Sequence, residues 1–193
     1  MVSKQMRVPQ FIPGGMDRAD YFGMNNDILP FLTAHEKTMQ VIFESPDQPG
    51  VRALIAELDA YLYSIYPAES VYALDIASLC EPNVFFAVLR DAAGAPVGCG
   101  AMVMQPGYGE IKRVYVRPQA RGQGLARRLM TALEAKAIAH GARTFLLETG
   151  PAQAEALVVY ERLGYRCRGP FGDYPADPHS VFMEKNVTED AAA

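Results

Sequence analysis

The stretch VRPQARGQGLARRLM, residues 116–130, sets the tightest limit on what this chain can fold into. It places two glycines and four arginines between a strand-like run, EIKRVYV, and a run with helical spacing. A helix N-terminus leaves backbone N–H groups unpaired and carries partial positive charge. Glycine lets that backbone come close to a ligand, so an anion, phosphate above all, suits the turn. Arg121, with Arg127 or Arg128, adds formal positive charge to it. A strand running directly into such a helix requires a helix packed across a sheet, and so an α/β domain.

Three phosphate-binding arrangements fit this description in part. A Walker loop needs a lysine followed by Ser or Thr, and the turn has neither. A dinucleotide fingerprint begins well at Gly122 and Gly124, but its third glycine position holds Arg127, where a small residue is needed for the helix to lie on the strand. Glu148 ends the next strand-like run, as a ribose-binding acid would, so this reading stays open. The third arrangement, Gln/Arg-x-x-Gly-x-Gly/Ala, is met position by position by Arg121, Gly122, Gln123, Gly124, Leu125 and Ala126.

The rest of the chain supplies context. Thr38 closes an irregular stretch rich in Pro, Gly and aromatic residues, so residues 1–38 read as an N-terminal extension and 188–193 as a tail. Strands are expected at MQVIFES, NVFFAVLR, PVGCGAMVMQ, YGEIKRVYVR, ARTFLLET, YRCR and SVFMEK. Helices are expected at VRALIAELDAYLYSIY, within PAESVYALDIASL, from Gly122 to His140 and at QAEALVVYERL. In the third of these, Leu125, Leu129, Ala132, Leu133, Lys136 and Ala139 trace one face. The order β-α-α-β-β-β-α-β-α-β-β describes a mostly antiparallel sheet with one β-α-β crossover.

Two motifs at their expected separation now converge. The glycine-arginine loop resembles the acyl-coenzyme A pyrophosphate loop of the GNAT superfamily of N-acetyltransferases. Downstream, ALVVYERLGY supplies Tyr160, Gly164 and Tyr165, similar to the family's aromatic-x-x-x-Gly-aromatic helix end. FLLETGPAQAEALVVYERLGY followed by FGDY is similar to a bacterial subgroup of mostly unassigned substrate. The resemblance covers about residues 39–187 and implies a mixed, mostly antiparallel twisted sheet flanked by helices, with a V-shaped splay between its two central strands. It implies acetyl-CoA as acyl donor, a primary amine of a small molecule or peptide as acceptor, and a homodimer.

Roles follow from the resemblance. It implies Glu110 as a base acting through water, with Glu148 in reserve; the alternative for Glu110 is a solvent-facing acid paired with Lys112. It implies Tyr160 as the acid at the departing sulfur, the alternative being a core aromatic. Val114, Tyr115 and Val116 would contact the pantetheine arm and polarise the thioester carbonyl. Gln153 stands where many relatives have asparagine, one methylene longer. Acceptor contacts are expected from Tyr61, Tyr63, Tyr66 and Glu69 on one side and Asp173, Tyr174, Asp177 and His179 on the other, with Glu148 between.

Bulk properties exclude other classes. The net charge of −4 is no nucleic-acid footprint. No apolar run reaches the roughly 18 residues of a membrane span. Cys80, Cys99 and Cys167 have no metal-like spacing and read as buried free thiols in a cytoplasmic protein. No metal is expected. A non-catalytic acyl-CoA sensor of the same fold remains the other reading.

Overall fold

The computed structural model describes residues 39–187, and the expected extension and tail lie outside the described residues. Among the described residues seven strands form one sheet in the order β1-β2-β3-β4-β5-β7-β6. They are β1 (Gln40–Phe43), β2 (Val84–Arg90), β3 (Pro96–Gln105), β4 (Tyr108–Val116), β5 (Thr144–Thr149), β6 (Arg166–Arg168) and β7 (Val181–Asn186). β4 and β5 run parallel and every other neighbouring pair is antiparallel. A dinucleotide-binding sheet is built from successive parallel crossovers, so this topology removes that reading.

Among the described residues four α-helices flank the sheet: α1 (Pro49–Ile65), α2 (Ile76–Leu79), α3 (Leu125–Ala139) and α4 (Ala154–Arg162). Pro49 occupies the first turn of α1, where its missing N–H costs nothing. The buried face of α1 is Val51, Leu54, Ile55 and Leu58, packed with Val88, Cys99 and Tyr115. On the opposite sheet face, α3 presents Leu125, Leu129, Met130 and Leu133 to Met102, Ile111, Phe145 and Leu147. Strand alternation therefore puts Glu110, Lys112 and Glu148 on the α1 face, because Ile111 and Leu147 belong to the α3 side.

The splay between the central strands is explicit in their pairing. β4 and β5 pair only through Gly109–Phe145, Glu110–Leu146 and Ile111–Leu147. Beyond Ile111 the β5-facing edge of β4 has no strand partner, while β5 continues along β7 as far as Thr149. The opening lies at the C-terminal ends of the parallel strands, where α/β folds place ligands.

Two sequence expectations need correction. Only Cys99 is a buried thiol; Cys80 caps the four-residue α2 and Cys167 sits on the exposed edge strand β6, and both are exposed. The inward face of α3 is also rotated from the one predicted, since Ala139 is exposed while Met130, Glu134 and Ala137 are buried. Glu134 enters the core because its charge is paired there.

Candidate active site

The glycine loop forms as expected. Gly122 and Gly124 have φ of 79° and 69°, and a Cβ at either would meet nothing within 4 Å. Glycine is needed there for backbone conformation, not for space. Gly124 is the N-cap of α3 and no side chain caps that end, so the first amides of the helix remain available.

A groove of about 980 Å³ runs from this loop between β4 and α4. Val114, Tyr115 and Val116 form its β4 wall, Arg121, Gly122, Gly124, Leu125 and Ala126 its loop end, and Gln153 and Tyr160 its α4 wall. Gln123 is exposed and is not part of the lining. The Arg121 Nε donates to the Val116 carbonyl at 3.0 Å, and Arg128 is taken up by the Met39 carbonyl at 2.5 Å. Arg127 faces the groove with no ion pair among the described residues.

A second, smaller chamber of about 80 Å³ adjoins the groove on the α1 face. Tyr160, Gln153, Val114 and Leu58 line both, so the two meet at these residues. Tyr66, Tyr72, Lys112, Glu148 and His179 give the chamber its polar lining. The Ser180 hydroxyl donates to Glu148 at 2.7 Å, and burial pushes the Glu148 carboxyl above the usual glutamate range. The Tyr160 phenol is buried and raised, first by desolvation and then by the Glu148 charge. It therefore keeps its proton at any working pH.

Glu110 lies elsewhere. It is 8% exposed and lines neither space. Tyr174 donates to its Oε1 at 2.7 Å, and the Lys112 ammonium is 3.4 Å from the same oxygen. Lys112 also donates to the Tyr174 hydroxyl and to the Tyr72 carbonyl at 2.9 Å. The pairing with Lys112 considered from sequence is real, but it is buried beneath Tyr174 rather than solvent-facing.

The acceptor-side expectations divide. Tyr66 and His179 line the chamber, Tyr61 lines the groove, and Asp177 supports the wall by accepting from the Tyr72 hydroxyl at 3.1 Å. Tyr174 is a buttress packed among Tyr72, Phe171 and Phe182. Glu69 and Asp173 are exposed and line neither space, because each sits on the outer side of a short turn. Tyr63, at 54% exposure, also points away.

Sequence reading missed Tyr72, Ser180, Gly150 and Arg113. Gly150 alone left a trace, in the Gly-Pro break after β5. A Cβ there would lie 2.0 Å from the Tyr66 hydroxyl, which accepts the Ala152 N–H at 3.0 Å. Gly150→Ala must displace Tyr66 from the chamber wall. The expected cost is about 1–3 kcal/mol of stability. A Tm within a degree of wild type, measured by calorimetry, would contradict this.

Among the described residues no helix is long and apolar enough to cross a membrane, and no His, Cys, Asp and Glu cluster could hold a metal.

Residues 51–165 match the Acetyltransferase (GNAT) family. Over 144 residues the chain is 49% identical to the IAA acetyltransferase of Azospirillum brasilense, covering 74% of this chain and 94% of that protein. It is 30% identical over 142 residues to the uncharacterized N-acetyltransferase YsnE of Bacillus subtilis, covering 70% and 93%. Among solved structures, one assigned as an acyl-CoA N-acyltransferase of Klebsiella pneumoniae superposes with a TM-score of 0.68 at 39% identity, over 79% of this chain and 100% of that one. The PaiA N-acetyltransferase of Thermoplasma acidophilum, solved with coenzyme A, shares the fold with a TM-score of 0.61 at 14% identity, over 78% and 99%. With the family matched across more than half its length and a relative at 49% identity, this chain is an acyltransferase of the GNAT family.

Proposed function

We propose that the protein transfers an acetyl group from acetyl-CoA to a primary amine of a small molecule or peptide, by direct attack, with Glu148 as the base. The observation that carries this reading is the meeting of the long groove and the polar chamber at Tyr160 and Val114, with Glu148 on the chamber side. The groove suits coenzyme A: open helix amides and Arg127 face its loop end, and the partnerless edge of β4 forms one wall. The pyrophosphate would be held at Gly122 to Ala126 with Arg121, and the pantetheine arm along Val114 to Val116 and Gln153.

When bound, acetyl-CoA supplies an activated thioester. The chain's residues do the rest. An ammonium has no lone pair, so Glu148 must accept the amine proton, directly or through water. A base is most useful when its pKa approaches the working pH, and the burial that raises Glu148 moves it that way. Glu110 serves as a buried counter-charge to Lys112 rather than as the base. The β4 backbone at Val114 and Tyr115 would donate to the thioester oxygen, where negative charge develops. The Tyr160 hydroxyl, which keeps its proton, would hydrogen-bond to the sulfur and so stabilise the thiolate as it departs. Tyr66, Tyr72 and His179 would flank the acceptor amine; the protein would act in the cytoplasm, as a homodimer.

The first test is thermal stability of the protein with acetyl-CoA, CoA, NAD and NADP. A ligand at about 100 times its dissociation constant adds about 2.7 kcal/mol, several degrees in Tm. A rise with the CoA pair alone is expected, followed by amine-dependent loss of thioester absorbance. A rise with a nicotinamide dinucleotide alone, or with nothing, would overturn the proposal.

A further inference from the structure

β4 is irregular at the point where the two clefts meet. It pairs with β3 at Ala101–Lys112 and again at Cys99–Tyr115, so Arg113 and Val114 together oppose the single residue Gly100. This is a β-bulge, a device that redirects a strand and recurs beside active sites. Arg113 has φ of 59°, and it alone among the described non-glycine residues has positive φ. A left-handed conformation strains a side-chain-bearing residue, and glycine would adopt it freely. Something else must hold an arginine there.

Its side chain provides the hold. The guanidinium is 5% exposed and pairs with Asp59 on α1. Nε donates to the Leu74 carbonyl at 2.9 Å, and Nη2 donates to the same oxygen. The backbone is fixed as well, since the Cys99 thiol lies 3.6 Å from the Arg113 carbonyl. One residue therefore ties the bulge to α1 and to the segment before α2. Those are two of the walls around the acceptor chamber, and the next residue, Val114, lines both clefts.

We infer that Arg113 is a positioning residue: its buried fork holds a strained bulge so that the Val114 backbone meets the acyl group while the acceptor chamber keeps its width. The inference rests on acyl transfer at the junction of the two clefts. Guanidinium geometry matters here, because lysine can pair with Asp59 but cannot straddle Asp59 and Leu74. Strain at such a site persists only where its surroundings over-determine it.

The test compares wild type, Arg113→Gly and Arg113→Lys in the full chain. Arg113→Gly relieves the strain but removes the fork and strands Asp59, so Tm should fall while the CoA dissociation constant changes little. Amide NMR then reads position without needing an acceptor. In wild type the Val114 amide should shift more with acetyl-CoA than with CoA, and in Arg113→Gly that difference should vanish. With tyramine and putrescine as probe amines, kcat should fall about ten- to a hundredfold in Arg113→Gly and by less in Arg113→Lys. An unchanged Val114 difference in Arg113→Gly overturns the inference, as does its absence in wild type. So does a variant whose CoA affinity falls in step with its Tm, which marks a merely structural role. Failure of wild type to bind either CoA species would instead sink the acetyl-transfer reading itself.

Discussion

Glu148→Gln is expected to lower kcat by about 10²–10⁴-fold, the usual range for a positioned acid or base, with CoA affinity preserved. Glu148 lines the small chamber from the end of β5, and the long groove proposed to hold coenzyme A lies on the far side of Tyr160. The pH profile should identify the same group. Only the carboxylate can accept the amine proton, so kcat/KM should climb as pH passes the Glu148 pKa, which burial sets above the ordinary glutamate range. Glu110→Gln should alter stability more than turnover, because its carboxylate is enclosed by Tyr174 and Lys112. Equal kcat losses in the two variants, or a larger one in Glu110→Gln, would return the base to Glu110.

The same substitution should make the protein more stable at neutral pH. A carboxyl with a raised folded-state pKa favours its protonated form in the fold. That contribution is fully present below the unfolded-state value of about 4.3 and is lost as pH rises through the folded-state value. Above it, wild type holds a partly desolvated charge that glutamine does not carry, and the Ser180 hydroxyl still finds an acceptor. Tm of Glu148→Gln should exceed that of wild type at pH 8, and the gap should close near pH 4. A gap of opposite sign would mean that Lys112, not burial, governs Glu148.

Much of this was legible in the sequence, and the reasons are specific. The loop at Arg121 to Ala126 and the helix end at Tyr160 to Tyr165 are local patterns dictated by positive φ and a helix terminus, so they read directly. The order of elements followed from hydrophobic period and turn residues. The interior of the small polar chamber did not follow. Tyr174 meets Glu110 and Ser180 meets Glu148 across long stretches of chain, and no spacing rule records such pairs. Arg113 was hidden more deeply, since an arginine within a strand reads as a solvated residue unless its φ is known. The cover over Glu110 was not legible either, because strand alternation gives the face a residue lies on, but not that Tyr174 and Lys112 enclose it.

The other large expected effect falls on stability, at Glu134. This carboxylate projects from α3 into the core and is 6% exposed. One oxygen accepts the Tyr165 hydroxyl at 2.8 Å and the other pairs with the Lys185 ammonium of β7 at 2.5 Å. Lys185 in turn lies over the Tyr165 ring, 5.6 Å from its centroid. Glu134→Leu removes the acceptor for both and leaves a buried hydroxyl and a largely buried cation unpaired. Breaking such a pair costs about 3–5 kcal/mol, a large share of the 5–15 kcal/mol or so that holds a domain together. The double variant Glu134→Leu/Lys185→Met should recover the part of that loss due to the stranded ammonium, leaving the part due to the unpaired Tyr165 hydroxyl. Urea unfolding of the two single variants and the double variant checks this. A cost under about 1 kcal/mol for Glu134→Leu would mean that water already solvates the pair. An additive double variant would mean that the two charges act separately.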